Sequence, residues 1–175
     1  MAICTLGVWT ACAAGLGSSA AADRANVSGP GRPDTTIIDV TTSVEGVYGD
    51  PDGPPGSVFG ASGTAARTGT GKEFGAFGFA CTVLPPVQST SVRQCNQTFH
   101  TPRGQITLQG LISEQDVFHE VVTGGGGIYT GAQGCAAFER LGHGDDAPFR
   151  VVIHLVKDSD LKRALPIEWA CPLEF

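Results

Sequence analysis

Four consecutive glycines in the segment TGGGGIYTGAQG, residues 123–134, form the pattern in this sequence most often linked to phosphate binding. A dinucleotide-binding turn needs the spacing G-x-G-x-x-G, but Tyr129 and Thr130 stand where its third glycine would fall in the two available frames. A Walker loop ends in Gly-Lys-Ser/Thr, and no lysine lies in the segment. The sequence therefore argues against a nucleotide site. It predicts a tight β-connection in which the glycines adopt backbone conformations that other residues avoid.

Two other segments are incomplete hydrolase motifs. The segment HEVVT starts at His119 like a zinc-binding helix, but Thr123 stands where the second histidine belongs. The segment GASGT around Ser62 lacks the final glycine of a nucleophile elbow. The histidines are scattered, which favours surface or core positions over metal ligation; they are His100, His119, His143 and His154. We therefore predict a protein without a metal ion, without a cofactor and without a sequence-local catalytic motif.

Composition indicates one compact domain with little helix. The chain has 175 residues, of which 41% are hydrophobic, 16% are charged and 25 are glycine. Its net charge is −6 and its basic residues form no cluster, which argues against a nucleic-acid partner. A single all-β domain with a sizeable core is therefore expected.

The first 22 residues differ from the rest because they carry no charged side chain before Asp23. Ala20 and Ala22 give the A-x-A pattern that precedes a signal-peptidase site, and the apolar stretch is too short for a stable membrane span. We predict a signal peptide over residues 1–22, although the basic start of such a peptide is missing. A secreted or periplasmic protein would follow. The alternative is an apolar lid that folds over the domain of a cytoplasmic protein.

Short apolar runs separated by glycine- and proline-rich turns recur along the chain, which is typical of a β-sandwich or β-barrel. We predict a linker over residues 23–34 and a C-terminal tail over 158–175, with one short helix, that packs back on the β-domain. Between them we predict strands over residues 35–44, 56–67, 73–84, 91–100, 104–112, 117–123, 133–141 and 149–157. Glycine and alanine are frequent on these strands and would leave room for a cavity.

The third and fourth strands allow a prediction of their register. A turn near Gln88 places Cys81 opposite Cys95 and Phe77 opposite Phe99, and both pairs then lie on one face of the sheet. A cross-strand disulfide between Cys81 and Cys95 is therefore geometrically sensible.

The two remaining cysteines outside the leader, Cys135 and Cys171, would then form a second disulfide that ties the tail to the seventh strand. An even number of cysteines outside the leader is typical of a secreted protein. The alternative for both pairs is buried free thiols.

Three segments carry a resemblance to a known family. They are GKEFGAFGFACTVL (71–84), SVRQCNQTFHTPRGQITLQGLI (91–112) and VVTGGGGIYTGAQGCAAFERL (121–141). In this order, with Gly104, Ile106 and Gly110 in the second segment and the glycine hairpin in the third, they resemble the allene oxide cyclase/dirigent-like β-barrel superfamily. The likeness covers residues 35–157 and points to the bacterial branch, which includes spirotetronate-type [4+2] cyclases.

The resemblance implies an eight-stranded antiparallel barrel that binds an apolar small molecule in its lumen, needs no cofactor and can form a homodimer. It also implies a cyclase of secondary metabolism that folds a polyene- or polyketide-type substrate for ring closure, by [4+2] cycloaddition or a related cyclisation. Two alternatives are a non-catalytic secreted barrel that binds a small apolar ligand and a dirigent-like protein that directs stereochemistry. A third is a barrel filled by its own side chains, with a structural or partner-binding role.

Side chains near the predicted strand ends are the candidates for contact with such a substrate. We predict catalytic roles for Tyr129, Glu120 and Tyr48. His119 and Glu120 point to opposite faces of their strand, so at most one of them faces the lumen. The predicted substrate-binding residues are His100, Gln109, Phe77, Phe99 and Trp169.

Overall fold

The computed structural model describes residues 35–113, 115–144 and 146–157. The strands in them are β1 (Thr35–Tyr48), β2 (Val58–Arg67), β3 (Glu73–Val87), β4 (Thr90–Thr101), β5 (Gly104–Ser113), β6 (Val117–Gly127), β7 (Ala132–Arg140) and β8 (Phe149–Lys157). Each strand pairs antiparallel with the next, and β8 pairs with β1, which closes the sheet. The predicted all-β, eight-stranded antiparallel barrel is confirmed. No helix that could span a membrane occurs in this part of the chain.

The predicted leader, linker and tail lie outside the described residues. The same holds for two residues of the tail to which the sequence assigns roles, Trp169 and Cys171.

Alternating burial along the strands determines which face lines the lumen. In β1 the inward side chains of Ile38 and Val40 are buried, and Ile153 of β8 continues this apolar face. Asp39 faces outward between them, and its Oδ2 atom lies 2.8 Å from Nη2 of Arg150 on β8. The closure of the barrel between β8 and β1 therefore combines an apolar inner face with an ion pair on the outer face.

The hairpin of β3 and β4 follows the predicted register. Cys81 pairs with Cys95 and Phe77 pairs with Phe99. The two cysteine sulfurs are bonded, which confirms the predicted Cys81–Cys95 disulfide. Cys135 is also disulfide-bonded. The predicted partner of Cys135 lies in the tail, so that pairing stays a prediction.

The turn of this hairpin consists of Gln88 and Ser89, at the predicted place. Both residues have positive φ angles, of 50° and 66°. Two such residues in succession match the right-handed twist of the flanking strands, although Asn-Gly is the usual sequence for this turn. The twist of the hairpin therefore imposes a backbone conformation that these two residues do not favour.

The glycine run lies in a strand, so the prediction that it forms the connection is wrong. β6 continues to Gly127, and Gly124 to Gly127 pair with residues 104–107 of β5. The turn is formed by residues 128–131 instead. Ladder hydrogen bonds use only backbone groups, so glycines remain in a sheet once a neighbouring strand pairs with them. Of the four glycines only Gly127 has a positive φ, of 65°, and a Cβ there would collide with the carbonyl oxygen of Arg103.

The lumen is filled at one end of the barrel and open at the other. At the filled end, where the connections after β2, β4 and β6 lie, Phe74, Phe99, Ile106 and Tyr129 belong to the buried core. The rings of Phe74 and Phe99 meet edge to face there, with centroids 6.3 Å apart. At the open end, where the connections after β1, β3, β5 and β7 lie, the inward side chains leave a cavity.

Candidate functional site

The cavity at the open end has a volume of about 620 Å³. This lies within the range of roughly 300–1,000 Å³ that is typical of small-molecule sites. The wall includes the phenylalanines Phe59, Phe77, Phe79, Phe118, Phe138 and Phe149. The cavity therefore suits one compact ligand with an apolar body.

The phenylalanine rings of the wall pack against one another and so keep fixed orientations. Phe118 and Phe138 stack with centroids 4.8 Å apart and ring planes 3° from parallel. Phe149 meets the Phe118 ring edge to face at 5.9 Å, and Phe59 meets Phe79 in the same way at 6.4 Å. Such pairs are favourable arrangements of aromatic quadrupoles. They present flat surfaces on which an unsaturated ligand can stack.

Arg93 of β4 holds the loop of residues 49–57, which borders the mouth of the cavity. Its Nη2 atom donates a hydrogen bond of 3.1 Å to the carbonyl oxygen of Pro51 and lies 3.5 Å from Oδ1 of Asp52. The amide of Gly56, in the same loop, donates to a β3 carbonyl at 2.8 Å. The carbonyl oxygen of Ser57 accepts a second hydrogen bond from β3, at 2.9 Å, so both β3 and β4 hold this loop at the mouth.

A second guanidinium group, that of Arg140, lies on the opposite side of the mouth. Its Cζ atom lies 5.0 Å from the centroid of the Phe149 ring, and its Nη1 atom donates to the carbonyl oxygen of Gly144 at 3.0 Å. Asp116 also lines the mouth. The mouth is thus polar and charged, whereas the wall below it is aromatic.

Two polar side chains, Gln97 and Glu120, lie together below the mouth. Gln97 of β4 lines the cavity, whereas Glu120 of β6 is only 2% exposed and lies behind the lining. Burial raises the pKa of Glu120 to about 7, and the neighbouring Gln97 amide acts in the opposite direction. No well-formed hydrogen bond reaches either carboxyl oxygen from the described residues. Glu120 is therefore partly protonated near neutral pH.

The structure separates the three predicted catalytic residues. Tyr48 stands at the mouth, 53% exposed, and lines the cavity. Glu120 faces the lumen, and alternation places His119 on the outer face, so at most one of them is inside, as predicted. Tyr129 is buried at the filled end and does not line the cavity. Catalytic roles stay predictions, and only Tyr48 and Glu120 lie where they could influence a ligand.

The predicted substrate-binding residues divide between the two faces of the sheet. Phe77 lines the cavity, and the ring of the fully buried Phe99 lies below it, at a centroid distance of 6.2 Å. His100 and Gln109 are exposed on the outer face, because each alternates with an inward neighbour on its strand. His100 contacts Gln105 there, with a distance of 3.1 Å from Nδ1 to Nε2. The position of these two residues does not permit contact with a ligand in the cavity.

Sequence reasoning missed Arg93 and Gln97, although a signal for both was present. Each lies two residues from the inward Cys95, one on either side, and therefore on the same face of β4. Polar side chains on an otherwise apolar face indicate a function. Arg140 was missed for a different reason, because no register for β7 could be predicted from sequence.

Comparison with known proteins gives matches of fold only. No family model and no curated protein matches this sequence. The solved structure of AbnU, an exo-specific intermolecular Diels-Alderase, matches with a TM-score of 0.62 and 13% identity, over 71% of this chain and 98% of that chain. The pterocarpan synthase dirigent protein GePTS1 matches with a TM-score of 0.59 and 16% identity, over 76% and 94%. Pyocyanin demethylase matches with a TM-score of 0.56 and 21% identity, over 66% and 98%.

This chain has the dirigent-like barrel fold. The resemblance found in the sequence is thereby confirmed at the level of the fold. The matched structures include enzymes, and their names describe different reactions. Since one fold hosts several chemistries, the function has to be argued from the cavity of this chain.

Proposed function

We propose that this barrel is a cyclase of secondary metabolism that folds an apolar polyene- or polyketide-type substrate for ring closure. The reaction would be a [4+2] cycloaddition or a related cyclisation and would need no cofactor. The observation that carries the proposal is the open cavity of about 620 Å³, with its phenylalanine wall and the Gln97 amide below the mouth. The match to a Diels-Alderase supports the choice of reaction.

Catalysis would come mainly from restricting the conformation of the substrate. A linear polyene loses much entropy when its two reacting ends meet, and a cavity that accepts only folded conformers removes that loss from the chemical step. The stacked rings of Phe118 and Phe138 would support the diene. An N–H group of Gln97 would donate to a carbonyl group on the dienophile and stabilise the charge that develops on its oxygen.

We further propose that the protein acts outside the cytoplasm. The Cys81–Cys95 disulfide is typical of an oxidising compartment. Residues 1–22 would then serve as the signal peptide. The substrate would have to be exported as well, or be formed at the cell surface.

The proposal is tested with synthetic linear polyenes that carry a 1,3-diene and an α,β-unsaturated ketone. We expect the protein to yield cyclic product faster than the protein-free solution and to enrich one stereoisomer. Ala61→Trp, which places an indole in the cavity, should abolish both effects. Ser62→Trp, at the exposed neighbouring position, is the matched control and should retain them. Ring closure at the protein-free rate for every chain length tested would refute the cyclase.

The second candidate function is a barrel that binds a small apolar ligand without cyclising it, or that directs a coupling reaction as dirigent proteins do. The match to a dirigent protein supports this alternative. Binding of the polyene that Ala61→Trp prevents, with no acceleration of ring closure, would favour it over the cyclase.

A further inference from the structure

Among the described residues, Gln97 and Glu120 differ from the other buried polar side chains. The buried polar residues are Thr42, Gln97, Thr101 and Glu120. Each threonine hydroxyl donates to a backbone carbonyl, at 3.3 Å and 3.0 Å. Glu120 has no such backbone partner, and its one polar neighbour is the Gln97 side chain. The pair is therefore a polar unit that meets the cavity through Gln97, which lines it, while Glu120 lies behind.

Gly110 of β5, the strand between β4 and β6, gives the Glu120 side chain its space. A Cβ at Gly110 would lie 2.7 Å from Cγ of Glu120. Cys95, Gly110 and Glu120 are successive neighbours across the three strands, and Gln97 is two residues further along β4 than Cys95. The Gln97 side chain therefore meets the carboxyl group diagonally across the glycine.

We propose that Glu120 sets the orientation of the Gln97 amide and thereby decides whether the cavity offers its ligand a hydrogen-bond donor or an acceptor. An amide has a donor end and an acceptor end, and the carboxyl group engages one of them. An ionised carboxylate only accepts, so it takes an N–H of Gln97 and leaves the amide oxygen for the ligand. A protonated carboxyl donates to the amide oxygen and leaves an N–H for the ligand. This inference rests on the proposed ligand-binding role of the cavity.

The surroundings of Glu120 determine the pH at which Gln97 changes from offering a donor to offering an acceptor. The inward residues beside it on β5 and β7 are Leu108, Gly110, Ala136 and Phe138, and on its own strand they are Phe118 and Val122, none of which titrates. The charged groups that line the cavity are Arg93 on β4, Arg140 on β7, Asp52 in the loop after β1 and Asp116 just before β6. All four lie at the mouth, and the pKa of Glu120 responds to none of them.

Burial therefore dominates, and it raises that pKa to about 7. The cavity offers a donor below this pH and an acceptor above it.

The experiment compares three bicyclic probes of nearly equal size, namely indene, indole and 1-indanone. Indene has no polar group, indole has one N–H donor, and 1-indanone has one carbonyl acceptor. Dissociation constants are measured by titration calorimetry at about pH 5.5 and about pH 8.5, on either side of the transition. We expect the affinity for 1-indanone to fall, and that for indole to rise, by roughly three- to tenfold with increasing pH, since one neutral hydrogen bond is exchanged. The affinity for indene should stay constant.

Two variants test the origin of the pH response. Glu120→Gln cannot ionise and should make all three affinities independent of pH. Gln97→Met keeps the length of the side chain without its amide and should remove the discrimination between indole and 1-indanone while indene still binds. Glu73→Gln, at an exposed position on β3, is the matched control and should behave as the parent protein.

The outcomes distinguish this inference from the proposed function. Indene binding combined with equal pH responses of indole and 1-indanone would overturn the role of Glu120 and leave the ligand-binding cavity intact. A pH response that persists in Gln97→Met would overturn the exchange through Gln97, because Glu120 would then contact the ligand directly. Binding of none of the probes would overturn both.

Discussion

Replacing Glu120 by glutamine should change the pH dependence of folding stability in a direction that can be stated in advance. Glutamine has nearly the same size as glutamate but no ionisable group, so the substitution removes one titration from the lumen. Glu120 is 2% exposed, and its burial raises the pKa to about 7 from an ordinary value of 4.5. The folded protein therefore holds a proton between these values that the unfolded chain has released.

The sign and size follow from proton linkage. Because the folded state binds more protons than the unfolded state between pH 4.5 and about 7, the free energy of unfolding decreases as pH rises through this interval. A carboxyl pKa raised by this amount corresponds to about 3 kcal/mol. The free energy of unfolding of Glu120→Gln, relative to that of the parent protein, should therefore increase by about 3 kcal/mol between pH 4 and pH 8. The difference should stay constant above pH 8.

Two other groups, His154 and Asp39, also contribute to the pH dependence of the parent protein's stability. Burial lowers the pKa of His154, so its contribution to stability increases with pH up to about 6.5 and opposes that of Glu120. Burial acts to raise the pKa of Asp39, but hydrogen bonds from Arg150 and Thr68 and nearby positive charge outweigh it and lower that pKa. Asp39 therefore changes the free energy of unfolding with pH only below its ordinary pKa of 3.8. The difference between variant and parent cancels both contributions.

The assay is urea denaturation followed by far-ultraviolet circular dichroism, with the disulfides intact. Glu73→Gln, on the exposed surface, serves as the control and should show no pH-dependent difference from the parent protein. A stability difference between Glu120→Gln and the parent that is the same at all pH values would refute the reasoning. It would mean that Glu120 ionises in the folded protein as it does in the unfolded chain.

Three further predictions concern the backbone and the mouth. Gly127→Ala should lower the free energy of unfolding by more than about 1–2 kcal/mol, because φ is 65° and a Cβ there would also collide with the carbonyl oxygen of Arg103. Gly126→Ala, with open space around its Cβ, should be nearly neutral, and urea denaturation of both variants measures the difference. Ser89→Gly should raise stability by about 1 kcal/mol because φ is 66° there, and an unchanged midpoint would contradict this. Arg93→Met should speed hydrogen exchange of the Gly56 amide, and equal exchange rates would show that the loop is held without the guanidinium group.

The eight strands and the β3–β4 register were predictable because they depend on local information. Alternation with period two and turn residues mark a strand, and one turn position determines every pair in a hairpin. The pairing of Cys81 with Cys95 followed from that single position. The glycine run shows the limit of this reasoning, because whether Gly124 to Gly127 turn or pair depends on β5, not on the glycines themselves.

The candidate site was only partly predictable. Phe77 was expected in the lumen and lines the cavity, whereas His100 and Gln109 lie outside, because a strand pattern defines two faces without saying which one closes around the lumen. The sequence likewise could not say which of His119 and Glu120 faces the lumen, and the structure places Glu120 inside.

The sequence by itself determined the class of fold, the number of strands and one disulfide, since these depend on periodicity and on one hairpin. Only the tertiary structure decided that the lumen is filled around Tyr129 and open near Tyr48. It also brought Gln97 and Glu120 together, although 23 positions separate them along the chain. Their contact depends on the closure and stagger of strands across the glycine of β5, and no local pattern contains that information.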